Sequence, residues 1–335
     1  MAQSMTAKSS RPKLSFKVWF ALPRVQKWFV IVTFAIVPLL LLLVFTYIPF
    51  GKMIEYSLYD RSYTKVRAFV GLKNYARIFT KKDYFDAMFL SLYYMAGALI
   101  QLALALYFAT LLSFKTKGGS FFKGTIFFPY LINGIAIGFI FKFFYTRGFV
   151  LDTVLQALGI PLEKLPYWLR DQSINNISLV ATSVWRYMGQ NMVMFIGAIM
   201  SVDPTLYEAA QIDGANRWKQ FLYIILPSIK TIVMLNVILS ITGSLSAFEP
   251  PYVIMGGGAS GTATYFIKMH QAAHIDQKVG MACAMAVVLM IVIIFATILQ
   301  KLFFRYVLKE GVDDAAPEKK KKRPLPRPAC KEGRA

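Results

Sequence analysis

Residues 28–50 read WFVIVTFAIVPLLLLLVFTYIPF, twenty-three positions without a charge. As a helix rising 1.5 Å per residue this run is about 34 Å long, enough to cross a hydrocarbon core of about 30 Å. A helix satisfies its own backbone polar groups, which hydrocarbon demands of any spanning segment. Five more apolar runs follow at 87–112, 121–145, 177–200, 229–249 and 281–304. The spacing predicts an all-α integral membrane protein with about six transmembrane helices. Pro129 and Gly134 interrupt the third run, a kink that neighbouring helices can accommodate, and Lys123 and Lys142 lie where they can snorkel to the interface.

Composition agrees with the runs. Of 335 residues, 56% are hydrophobic and 16% charged, against about 45–50% and about 25% in soluble domains. The net charge of +21 does not point to nucleic acid, because the charges cluster in short segments beside the spans, where they meet anionic head groups. Cys283 and Cys330 form neither a disulfide framework nor a CxxC pair. Three regions are expected: a basic cytoplasmic segment 1–27, a membrane domain 28–308, and a basic, Pro-rich, disordered cytoplasmic tail 309–335. The first run is too long for a signal-peptide core and is read as a retained helix. The tail, with Lys319–Arg323 and three following prolines, either lies on anionic lipid or docks a partner.

Basic residues give a mixed orientation signal. With both termini cytoplasmic, the segments 1–27, 114–123, 201–228 and 301–335 lie inside and carry most of the Lys and Arg. Loop 51–86 then lies outside although it holds eight bases against four acids. Both termini inside is the expectation.

Between the fourth and fifth runs lies the polar segment 203–227. Asp203 is a good N-cap and Pro204 fits the first turn, so 206–212 predicts a short helix. Gly214 ends it, and 218–226 predicts a second helix stopped by Pro227. Two short helices hinged at a glycine form either a docking element or an amphipathic pair resting on lipid.

Glu208-Ala209-Ala210, three residues, Gly214, nine residues, then Ile224-x-Leu226-Pro227 resembles the EAA loop of ABC importer permeases. The likeness continues in Phe69-Val-Gly-Leu-Lys-Asn-Tyr75, Phe128-Pro129-Tyr130, the trio Trp185, Gly189 and Met192, and Phe248-Glu249 followed by Tyr252 and Gly256-Gly257-Gly258. These resemble elements of carbohydrate-uptake permeases over about residues 28–308. Met255, Ala259 and Phe141 depart from that pattern, where Thr, Pro and Trp are usual.

The resemblance implies a type I ABC importer permease fold in a bacterial inner membrane. It implies that Glu208, Ala209, Ala210, Asp213 and Gly214 couple the membrane domain to an ATPase. No GxxxxGK[ST] phosphate loop is present, so ATP and Mg are expected on two separate ATP-binding subunits and no cofactor on this chain. A second homologous permease subunit, an extracytoplasmic solute-binding protein and a carbohydrate substrate complete the implied assembly. A proton-coupled transporter would need inverted repeats or a carboxylate relay, and an enzyme an HExxH or GxSxG signature; none is found.

Polar residues inside spans are costly and point to a solute pathway, or else they glue helices for about 0.6–2 kcal/mol each. Tyr130, Asn133, Arg186, Gln190, Asn191, Asn236 and Glu249 are the pathway candidates; Gln101 and Ser240 read as glue. Arg186 either pairs with Glu249 across the bundle or meets an acidic solute. His270 and His274 have metal-like i,i+4 spacing, but with no third ligand nearby a metal is not expected.

Overall fold

The structure, a computed structural model, describes residues 23–114 and 116–307. The tail 309–335 and most of segment 1–27 lie outside the described residues. In chain order the elements begin with α1 (Pro23–Leu42), α2 (Ile48–Ser57), strands β1 (Tyr59–Arg61) and β2 (Val66–Phe69), and α3 (Lys73–Thr80). The long α4 (Lys82–Ser113) leads to α5 (Gly119–Leu131), α6 (Gly134–Tyr145) and α7 (Val150–Ala157). Next come α8 (Asn175–Met200), α9 (Pro204–Ile212), α10 (Arg217–Gln220), α11 (Leu226–Ser228) and α12 (Lys230–Leu245). The last described elements are α13 (Glu249–Ile254), α14 (Tyr265–His270) and α15 (Val279–Val307).

Among the described residues, four helical runs are long and apolar enough to cross a membrane: Gln26–Ser57, Lys82–Ser113, Lys230–Ile254 and Val279–Arg305. The third predicted span is not one helix. It is α5 and α6 set at 99°, and together they make a fifth candidate. Pro129 removes a backbone donor, Ile132 is extended, and the Asn133 side chain accepts from the Ile135 N–H at 2.8 Å as the N-cap of α6. The fourth predicted span, α8, has the length at 26 residues but not the apolarity, since it carries Asn175, Asn176, Arg186, Gln190 and Asn191.

Two prolines, Pro49 and the predicted stop Pro227, are passed by the same device. A π turn at Leu43–Tyr47 precedes Pro49, and another at Phe221–Ile225 precedes Pro227. In each, the residue just before the proline bonds five back, Ile48 N–H to Leu43 O and Leu226 N–H to Phe221 O. That wider turn makes room where a proline ring would meet the carbonyl four residues earlier. Pro227 therefore does not stop the second short helix, which runs on to Ser228 and breaks at Ile229.

The chain divides into two units. One comprises residues 23–86 with Ile267–Leu289. Its side chains from Gln26 to Phe50 are exposed, as suits an apolar helix meant for lipid. Beyond the expected helices it holds the antiparallel β1–β2 hairpin, which Asn74 ties down by donating to Ser57 O at 2.9 Å and Tyr59 O at 3.1 Å. Gly280 sits against the same strand; a Cβ there would lie 2.0 Å from Tyr59 O.

The other unit comprises 87–266 with 290–307. Its core pairs Leu102, Ala105, Ala109 and Leu112 of α4 with Met192, Phe195, Ile196 and Ile199 of α8, both series at helical spacing. Small residues set the helix crossings. A Cβ on Gly189 would lie 2.1 Å from Ile126 O, one on Gly97 2.2 Å from Val180 Cγ1, and one on Gly138 2.5 Å from Val253 Cγ1. Glycines let helices without a hydrophobic drive between them approach closely in lipid.

Candidate functional site

The second unit forms a half-open cavity of about 590 Å³ lined by α4, α8, α12, the start of α13 and Phe266. Most of the wall is apolar. Gln190, Asn191, Ser183, Ser240 and Ser246 supply hydrogen-bonding groups, and Tyr187, Phe248 and Phe266 supply rings. A second cavity of about 430 Å³ adjoins Phe248 and Glu249 from the side of Ile135, Phe139 and Tyr252. Glu249 lines both.

Glu249 accepts a charge-assisted hydrogen bond from Arg186 Nη1. The partners differ in exposure: the Arg186 side chain is 12% accessible, that of Glu249 43%. Arg186 also donates to the Tyr187 hydroxyl at 3.2 Å, and its guanidinium carbon lies 4.9 Å from the Tyr187 ring centroid. Its Nε is buried without an acceptor. Gly134, the first residue of α6, closes the back of the pair: a Cβ there would fall 1.9 Å from Glu249 Oε2 and 2.5 Å from Arg186 Nη1. The positive end of the α6 dipole faces the carboxylate.

Not every pathway candidate reaches the cavities. Gln190, Asn191 and Glu249 line them, while Arg186 lies behind Glu249. Tyr130 lies tilted against Tyr187, with ring centroids 6.2 Å apart, and Asn133 caps α6. Asn236 lines neither cavity. It is fully buried, donates to Ile232 O on its own helix at 2.8 Å, and leaves Oδ1 unpartnered. Gln101, read as glue, and Ser240 both line the larger cavity. Phe266 was missed, because nothing in the sequence brings a residue after the glycine-rich stretch back beside Phe248, 5.5 Å away between centroids.

The segment after α8 forms a projecting turn. Asp203 Oδ1 accepts from the Thr205 N–H at 3.0 Å, and hydrogen bonds from Thr205 hold its carboxyl below the usual carboxylate range. At the other end of α9, Gly214 has φ +73°, its N–H bonds Gln211 O at 3.1 Å, and the Ala215 N–H reaches Ala210 O at 2.8 Å. This is a Schellman cap, with Asp213 as the C-cap and Gly214 in the left-handed position. Asn216 then caps α10 through Lys219 N–H at 2.8 Å, one residue ahead of the expected start. Glu208, Ala209, Ile212, Asp213 and Gly214 are exposed, Ile212 to 87%; Ala210 is half-buried. The base of the turn is anchored: Ile225 and Ile229 belong to the α4–α8 core, and Tyr207 packs edge-on against Phe114. Burial raises the Tyr207 hydroxyl pKa.

Residues 101–309 match the family described as the binding-protein-dependent transport system inner membrane component. A probable ABC transporter permease protein, YurN of Bacillus subtilis, is 31% identical over 278 residues, covering 81% of this chain and 94% of that protein. The multiple sugar-binding transport system permease protein MsmF of Streptococcus mutans is 29% identical, covering 80% and 92%. Among solved structures, a bacterial alginate ABC transporter, in complex with an alginate pentasaccharide-bound periplasmic protein, superposes with a TM-score of 0.74. The superposition covers 88% of this chain and 100% of that one at 17% identity, which shows a shared fold.

Proposed function

Since the chain belongs to the family of binding-protein-dependent transport system inner membrane components, we propose that it is the permease subunit of an ATP-driven importer of an oligosaccharide. The observation that carries this reading is the pairing, within one unit, of a ring-lined cavity set with a few hydrogen-bonding groups and an anchored, exposed helical turn. A hydroxyl-rich solute needs hydrogen-bonding partners in a dry passage, because each unmet polar group costs about 1–3 kcal/mol. Gln190, Asn191 and Glu249 offer them, with Tyr187, Phe248 and Phe266 offering faces for the apolar side of a sugar ring. The likeness to MsmF, a multiple sugar-binding transport system permease protein, supports the solute class.

The turn 203–227 is the coupling element in this reading. Glu208, Ala209, Ala210 and Ile212 present a rigid surface to an ATP-binding subunit, with Asp213 and Gly214 setting its end. ATP and Mg reside on two such partners, a second permease chain completes the passage, and an extracytoplasmic binding protein delivers the solute. Both termini are cytoplasmic. The fold shared with a transporter crystallised with its periplasmic protein supports the binding-protein partner.

The test is purification of the tagged full chain from its own membrane in mild detergent. The expected preparation hydrolyses ATP and contains chains with phosphate loops. A preparation that carries no ATPase contradicts the reading.

A further inference from the structure

Arg186 invites an acidic solute only if its charge reaches the passage. In this fold it does not. The guanidinium is nearly buried behind Glu249 and lies on neither cavity wall. Glu249 is more exposed, lines both cavities, and among the described residues is the one formally charged side chain on either wall. Gly134 fixes the pair from behind, since even a methyl group there would collide with both partners. The pair is neutral as a whole but unequally presented, and the passage therefore meets carboxylate rather than guanidinium.

We propose that the Arg186–Glu249 pair sets solute charge: the passage accepts neutral saccharides and turns away acidic ones, with Glu249 as the specificity-determining residue. This rests on reading the cavity as part of the solute path. A uronate entering it would either crowd its carboxylate against Glu249, and like charges held close repel, or displace Glu249 from Arg186 and leave a carboxylate without its cation. A neutral saccharide does neither. It uses Gln190, Asn191 and Ser246 as hydrogen-bond partners and accepts the Glu249 carboxylate as an acceptor for its hydroxyls.

The experiment is saturation-transfer NMR on the full chain in lipid nanodiscs, purified with whatever chains stay bound to it. The probes are maltotetraose and tetragalacturonate at equal concentration near pH 7. The expected result is transfer to maltotetraose and at least tenfold weaker binding of tetragalacturonate, which corresponds to about 1.4 kcal/mol. Glu249→Gln frees Arg186 and is expected to raise tetragalacturonate binding at least tenfold relative to maltotetraose. If that variant does not fold, Arg186→Gln combined with Glu249→Gln removes both charges and is expected to bring the two probes within threefold of each other. Stronger binding of tetragalacturonate by the unaltered chain overturns the proposal, as does unchanged discrimination in either variant. If neither probe shows transfer to the unaltered chain, the cavity is not a sugar site and the proposal falls with that reading.

Discussion

Glu249 and Arg186 lie 63 residues apart in sequence, yet the carboxylate of one accepts a hydrogen bond from the guanidinium of the other, with Gly134 packed against both. Three segments meet there: the start of α13, the middle of α8 and the break between α5 and α6. The break is thus tied to the helices that line the cavity, and a change at any of the three positions reaches the other two.

Gly134→Ala tests the tightness of that junction. The added methyl has no space, and overpacking of this kind costs about 1–3 kcal/mol. Expected outcomes are a lower thermal midpoint for the detergent-solubilised chain and a several-fold drop in solute uptake, with normal membrane insertion. Full uptake and an unchanged midpoint would mean that the junction is looser than described.

Gly214 gives a sharper test of the coupling turn, because its φ of +73° is disfavoured for side chains other than Asn and Asp. Gly214→Val is expected to undo the Schellman cap, shift Glu208 and Ala209, and reduce uptake at least tenfold while the chain still reaches the membrane. Gly214→Asn should retain most uptake, since asparagine tolerates the left-handed position. Equal uptake by both variants would remove the cap from the mechanism.

Asn191 and Asn236 should behave differently. Asn191 lines the cavity, so Asn191→Ala is expected to lower uptake several-fold with little effect on thermal stability. Asn236 is buried with an unpartnered Oδ1, a state that costs about 1–3 kcal/mol. Asn236→Leu is therefore expected to keep uptake and leave stability equal or higher. Loss of uptake in Asn236→Leu without loss of stability would return Asn236 to the pathway.

Orientation is checked by a thiol scan. A cysteine at Ser62, in the turn of the β1–β2 hairpin, should react with a membrane-impermeant reagent in intact cells, and Cys330 should not. The reverse pattern would place the termini outside.

Much of this architecture was legible in the sequence because membrane helices announce themselves by length and apolarity. The coupling turn was legible because caps are local chemistry: Asp203, Pro204 and Gly214 sit where α9 begins and ends. The misreadings came from non-local causes. Pro129 and Gly134 suggested a kink, but the 99° break depends on Asn133 capping a new helix. Pro227 suggested a stop, but a π turn upstream lets the helix pass. Asn236 looked like a pathway residue from its polarity alone, and only packing shows which face of α12 it occupies. The Arg186–Glu249 pairing was one of two open readings, since no sequence spacing decides contact across 63 positions.

In the proposed function, this chain passes a saccharide only when a separate ATPase drives it. The direct measurement is accumulation of labelled oligosaccharide in proteoliposomes containing the purified assembly, with binding protein outside and ATP within. Accumulation is expected to require ATP and this chain together, and to fall at least tenfold in the Gly214→Val assembly. Accumulation that proceeds without ATP, or that a proton gradient alone sustains, would contradict it.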